Sequence, residues 1–174
     1  MKIKNLFLAL LSLMPVTLFC KSKHDLKFGD KAPLFSLADE TGKIRSLQEF
    51  KGQKVVLFFY PKDGTPGCTA EACGLRDAFS TYKKNNIVLL GVSYDSVESH
   101  AKFQSEHHLP FSLLSDTKGK VAKAYDANRF WLWNIMPKRK TILIDEKGII
   151  ATIMDEVNVQ EHSDAILKAF GINS

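Results

Sequence analysis

The chain has no C-x-x-C pair. Its three cysteines are Cys20, Cys68 and Cys73, spacings that fit neither the C-x-x-C redox motif nor a C-x-x-C zinc knuckle. No histidine stands at ligand spacing from a cysteine. His24, His100, His107, His108 and His162 are scattered and read as surface residues, so no metal is expected. No apolar run reaches the ~20 residues that a spanning helix needs. No internal repeat and no low-complexity tract occurs. Charge is only modestly one-sided: the formal net charge is +5, or +3 without Lys2 and Lys4. The basic runs Lys83-Lys84 and Lys138-Arg139-Lys140 are short and lack a nucleic-acid motif, so they read as solvated surface with no nucleic-acid partner.

What is present begins with an export signal. Residues 1–22 combine the positive Lys2 and Lys4 with an apolar region from Leu6 to Phe19. No A-x-A site fixes its end. Cys20 closes the region like a lipoprotein acceptor, although Phe19 stands where a small residue belongs. Cys20 is therefore either acylated, giving a membrane tether, or lost with the signal, or left as an idle thiol. The expected location is exported, in the periplasm. Lys21 to Lys27 is a polar linker, and residues 23–174 form one domain, long enough for a substantial core.

The domain is organised around Pro61 to Asp77, PKDGTPGCTAEACGLRD. Val55 to Tyr60 (VVLFFY) reads as a buried strand. Pro61, Asp63, Gly64, Pro66 and Gly67 then supply turn chemistry. From Cys68 to about Lys84 the apolar spacing is helical, through Ala72, Leu75, Ala78, Phe79 and Tyr82. Cys68 thus falls in the first turn of a helix, where unpaired N–H groups and the helix dipole favour an anion. It is a candidate reactive thiolate. On position alone, a small buried hydrophobe is an equally good reading. Cys73 follows five residues later. An ideal helix turns about 500° and rises ~7.5 Å over that interval, leaving the sulfurs roughly 140° apart and the Cα atoms too far for a disulfide. A bond between them requires the helix to unwind.

Pro61-x-x-x-Thr65-x-x-Cys68 resembles the active-site pattern of the peroxiredoxins. The run PGCTAEACGLRD resembles their Q-type branch, the bacterioferritin comigratory proteins. The resemblance implies a thiol peroxidase that reduces hydrogen peroxide and organic hydroperoxides without metal, haem or flavin. It implies that Cys68 attacks the peroxide and becomes a sulfenic acid, and that Cys73 resolves it as an intramolecular disulfide. Thr65 is then a hydrogen-bond partner of the peroxide, although the residues alone equally allow a turn or cap. Pro61 shields the sulfenic acid, and Pro66 and Gly67 complete the substrate pocket. Arg139, six residues before Asp145, matches the active-site arginine of similar proteins and would stabilise thiolate and transition state. A thioredoxin or thioredoxin-like protein is the implied reductant, and a monomer is expected.

Element order points to a thioredoxin-like α/β fold: a central, mainly parallel sheet flanked by helices, with an antiparallel edge. Strands are expected at Phe35–Leu37, Lys43–Arg45, Val55–Tyr60, Ile87–Ser93, Phe111–Leu114, Thr141–Ile144 and Ile149–Met154. Further helices are expected at Val97–His107, Gly119–Tyr125 and Gln160–Phe170. Asp95, Asp116 and Asp126 read as caps and turn formers. Phe130 to Met136 (FWLWNIM) departs from the Q-type pattern. It fits loop packing, a dimer or partner contact, or a membrane-facing surface. Two other functions remain open: a thiol–disulfide oxidoreductase acting on proteins, and a lipid-anchored binding or chaperone module.

Overall fold

Two apolar segments rich in β-branched and aromatic residues, KVVLFF and IVLLGVS, pair as parallel strands at the centre of the molecule. The computed structural model describes residues 25–128 and 136–172. The signal, Cys20 and all but Met136 of the aromatic stretch lie outside the described residues. In chain order the strands are β1 (Ser36–Ala38), β2 (Ile44–Ser46), β3 (Lys54–Phe59), β4 (Ile87–Ser93), β5 (Ser112–Ser115), β6 (Lys140–Ile144) and β7 (Ile150–Met154). The helices are α1 (Pro66–Asp77), α2 (Phe79–Lys84), α3 (Val97–His107), α4 (Lys120–Ala124) and α5 (His162–Ala169), with a 3-10 turn at Leu47–Phe50. Ser46 and Glu49 form a capping box on that turn.

The sheet order is β2-β1-β5-β4-β3-β6-β7. The thioredoxin-like α/β class stands, but the sheet is mixed. Among the described residues only β3–β4 and β4–β5 pair in parallel, while β1, β2, β6 and β7 join antiparallel on both sides. Parallel pairs need a helical crossover. The segments through α1–α2 and α3 supply the two that exist. Asp145 to Gly148 instead closes a tight hairpin between β6 and β7.

Both faces of the central strands are covered, which is why they read as continuous apolar runs. Alternation along β3 divides the core. Val55, Leu57 and Phe59 join Val121, Ala122 and Tyr125 on one face. Val56, Phe58 and Tyr60 join Cys68, Ala72, Leu75, Phe103 and Ile166 on the other. Gly91 in β4 allows close approach on this second face: a Cβ there would lie 2.8 Å from both Leu113 and Phe58.

The long helix expected from Cys68 to Lys84 is two helices. Ala78 leaves helical geometry (φ −91°, ψ 3°). The re-aimed α2 buries Tyr82 completely and brings its hydroxyl 2.9 Å from the Ser163 hydroxyl. The N-cap of α4 is Gly119, and Asp116, three residues earlier, accepts the N–H groups of Lys120 and Ala122. Asp126 accepts the Leu26 N–H, and Asp95 serves the loop described next.

Candidate active site

β3 ends at Phe59, and the chain turns through Pro61–Thr65 into α1. Asp63 ties this turn down. Its carboxylate accepts from the Tyr60 hydroxyl at 2.7 Å, the Ser99 hydroxyl at 2.8 Å and His100 Nδ1 at 2.9 Å. Its N–H donates to Asp95 at 3.0 Å, and Asp95 in turn accepts from Ser93. Burial pushes the Asp63 carboxyl up. The hydrogen bond and charge of His100, with the Tyr60 and Ser99 hydroxyls, outweigh that and hold it below the usual value. Tyr60 is pushed well up by burial and by the Asp63 charge. Gly64 adopts φ +67°, the left-handed conformation that completes the turn.

Thr65 is the N-cap of α1 by backbone geometry, and its carbonyl accepts the Thr69 N–H at 2.8 Å. Its hydroxyl does not cap the helix; it donates to the Lys62 carbonyl at 3.1 Å. Pro66 occupies the first helical position, where its missing N–H costs nothing. No side chain caps the helix. The N–H groups of Gly67 and Cys68 therefore belong to the open first turn, with the positive end of the dipole.

Cys68 is buried at the head of α1, 2% exposed. Arg139 reaches it from the head of β6, the strand next to β3. The register pairs Phe59 with Lys140, so the residue before β6 lies beside the turn that leaves β3. Arg139 Nη2 donates to Cys68 Sγ at 3.5 Å. Gly67 leaves room for the guanidinium, since a Cβ there would lie 3.4 Å from Nη2. The other arm, Nη1, pairs with the Glu71 carboxylate. Glu71 is one turn beyond Cys68, on the same face of α1, and is 1% exposed. Its second oxygen lies 3.1 Å from His162 Nδ1 on α5.

The structure thus brings Cys68, Arg139, Gly67 and the Thr65–Pro66 turn together. Pro61 lies on the same turn, partly covered. Cys73 does not meet Cys68: α1 is continuous between them, and both thiols are free. The basic run around Arg139 is not simply solvated surface. Lys138 and Lys140 both bind Asp155 at 3.0 Å, one on either side of the inward-turned arginine. Two histidines expected at the surface are buried, His100 at 0% and His162 at 2% exposure. Glu71, Asp63, His100 and His162 were missed by sequence reasoning. Only Glu71 carried a signal, a carboxylate at i+3 from Cys68 amid the apolar positions of the helix. Among the described residues no cluster of His, Cys, Asp and Glu is placed to hold a metal ion.

A family model described as the AhpC/TSA family matches residues 28–153. The chain is 46% identical over 141 residues to a Bcp peroxiredoxin of Coxiella burnetii, covering 79% of this chain and 93% of that protein. It is 40% identical to peroxiredoxin Bcp of Bacillus subtilis, covering 79% and 90%. Among solved structures, peroxidoxin BcpB of Mycobacterium tuberculosis superposes with a TM-score of 0.79 at 37% identity, over 86% of this chain and 99% of that one. The bacterioferritin comigratory protein of Xanthomonas campestris, studied for alkyl peroxide reduction, gives a TM-score of 0.74 at 30% identity, over 79% and 90%. By these likenesses the chain belongs to the AhpC/TSA family, in its peroxiredoxin Q/Bcp branch.

Proposed function

We propose that this enzyme is a thiol-dependent peroxidase that reduces hydrogen peroxide and organic hydroperoxides through Cys68, with Cys73 as the resolving thiol. The observation that carries this reading is the Arg139 guanidinium 3.5 Å from Cys68 Sγ at the open first turn of α1. The Cys68 thiolate attacks the nearer peroxide oxygen. An S–O bond forms, the O–O bond breaks, and the departing oxygen leaves as water or alcohol once protonated. Arg139 and the N–H groups of Gly67 and Cys68 stabilise the charge that moves between sulfur and oxygen. The Thr65 hydroxyl holds the peroxide, and Pro61 and Pro66 wall the site.

The sulfenic acid then condenses with the Cys73 thiol, releasing water and forming a disulfide. This step needs the first turns of α1 to unwind. A dithiol of the thioredoxin type re-reduces the pair, itself becoming oxidised. Export through residues 1–22 places the enzyme in the periplasm, with Cys20 as a membrane tether if it is acylated. The reductant is then a thioredoxin-like protein fed from the membrane, and the enzyme acts as a monomer. The relatives do not favour an oxidoreductase acting on protein disulfides.

The test is a thiol count by mass spectrometry after one equivalent of hydrogen peroxide, beside Cys73→Ser. Loss of two thiols with a Cys68–Cys73 linked peptide, and a trappable sulfenic acid at Cys68 in the variant, is the expected result. Two unreacted thiols after minutes would refute it. Recovery of the protein in the cytosol with Met1 intact would refute export.

A further inference from the structure

The Glu71 carboxylate is fully buried and serves two cations or donors from different elements. One oxygen pairs with Arg139, which precedes β6. The other faces His162 Nδ1, at 3.1 Å, on the first turn of α5. The contact is close without being a hydrogen bond, and among the described residues neither Glu71 Oε1 nor His162 Nδ1 has a hydrogen-bond partner. The two buried atoms therefore depend on each other. On its far side, His162 Nε2 lies 2.9 Å from the Thr141 hydroxyl in β6. Both ring nitrogens face a complementary group when Thr141 donates to Nε2 and Nδ1 carries the proton on the side of Glu71. Ile166 and Leu167 bury the next turn of α5, so the imidazole is held on a rigid element.

Glu71 also lies between the two cysteines. Any unwinding that carries Cys73 to Cys68 pulls Glu71 out of this seat and away from both partners. We infer that His162 is a positioning residue for the thiol chemistry: it seats Glu71, and the Arg139–Glu71–His162 cluster is the latch that α1 opens when the disulfide forms. With the latch closed, Glu71 holds Arg139 against Cys68 for attack on the peroxide. With it open, Cys73 is free to reach the sulfenic acid. His162 therefore sets the division of time between the two steps. This rests on the peroxidase reading above.

The experiment follows the two steps separately in His162→Leu and His162→Asn. Sulfenic acid is trapped with dimedone at timed intervals after hydrogen peroxide, and the disulfide is counted by mass. In His162→Leu, disulfide formation should accelerate about tenfold, because Glu71 Oε1 is left buried without its polar neighbour. Oxidation of Cys68 should slow, and over-oxidation to sulfinic acid should need more peroxide. His162→Asn, which returns an N–H near the position of Nδ1, should restore both rates toward the parent. A general loss of fold would slow both steps instead of moving them in opposite directions. Parent-like disulfide formation in His162→Leu, or an Asn variant indistinguishable from Leu, would overturn the latch. If His162→Leu does not fold, Thr141→Val takes its place, and an unchanged disulfide rate there overturns the proposal equally. Absence of any Cys68–Cys73 disulfide in the parent would instead sink the peroxidase reading itself.

Discussion

Replacing Arg139 with methionine separates what the guanidinium does for the chemistry from what it does for the fold. Its side chain is 21% exposed, whereas that of Glu71 is wholly buried. Removing one partner of a buried pair strands the other charge, at a cost of about 3–5 kcal/mol. His162 Nδ1 remains 3.1 Å from Glu71, which places the loss at the lower end, about 3 kcal/mol. The sulfur also loses its N–H donor, and loss of a preorganised donor to developing charge slows the step by roughly 10²–10³-fold. The two effects come apart in a second variant that adds Glu71→Gln. With no carboxylate left to strand, stability should return to within about 1 kcal/mol of the parent, since only hydrogen bonds then differ. The rate should stay low. Urea unfolding followed by circular dichroism reads the first quantity, and competition kinetics for hydrogen peroxide read the second. A double variant that regains its rate together with its stability would refute the chemical role of Arg139 and leave it a structural cation.

Other perturbations test the scaffold. Asp63 has a carboxyl held below its usual value, so its contribution to stability is present above about pH 4 and lost as pH falls through the folded value. Asp63→Asn should therefore flatten the decline of the urea midpoint between pH 7 and pH 3, and an undiminished decline would contradict the assignment. Gly91→Ala places a methyl 2.8 Å from Leu113 and Phe58. Overpacking of this kind costs about 1–3 kcal/mol in a thermal or urea melt, and an unchanged midpoint would mean that the second core layer yields freely. Tyr125→Phe removes a 2.6 Å hydrogen bond to the Pro33 carbonyl on the face of the sheet opposite Cys68. It should lower stability by about 1–2 kcal/mol while the peroxide rate holds. A fall in rate would show that the two layers are coupled.

The sequence was legible where one residue type forces one local structure. The runs at Val55 and Ile87 could be little but buried strands, and the turn residues from Pro61 marked the next helix to within two residues, Cys68 being expected and Pro66 found. Arg139 was legible only through its resemblance to family members, because sequence places it between two lysines. The pairing of Phe59 with Lys140 brings it to the turn, and register between strands 81 residues apart is a tertiary property. The same holds for strand direction. Local pattern marks β6 as a strand but cannot say that it runs against β3, which is how the sheet came to be mixed rather than mainly parallel. Buried His100 and His162 were invisible for a related reason. Each is isolated in sequence and acquires its partner from another element, Asp63 from the β3–α1 turn and Glu71 from α1.

A helix that must hold a cysteine rigidly and then release it faces two opposed demands, and α1 divides them along its length. Its C-terminal half is pinned. Leu75 is fully buried, and Arg76 Nη1 donates to the His107 carbonyl at 2.9 Å. Cys73 stands just before that anchor, so unwinding of the preceding turns can move it while Leu75 stays seated. The N-terminal half, which has no side-chain cap, is held differently, by Ala72 and by the charge on Glu71. Had a leucine occupied position 71, opening would expose its full apolar surface, a cost of about 1.5–3 kcal/mol with nothing returned. A carboxylate that leaves a buried ion pair regains its hydration, and the net worth of such a pair is accordingly small. The polar contacts fix the geometry of Arg139 over the sulfur while keeping the opening cheap, which is what a sulfenic acid awaiting its resolving thiol requires.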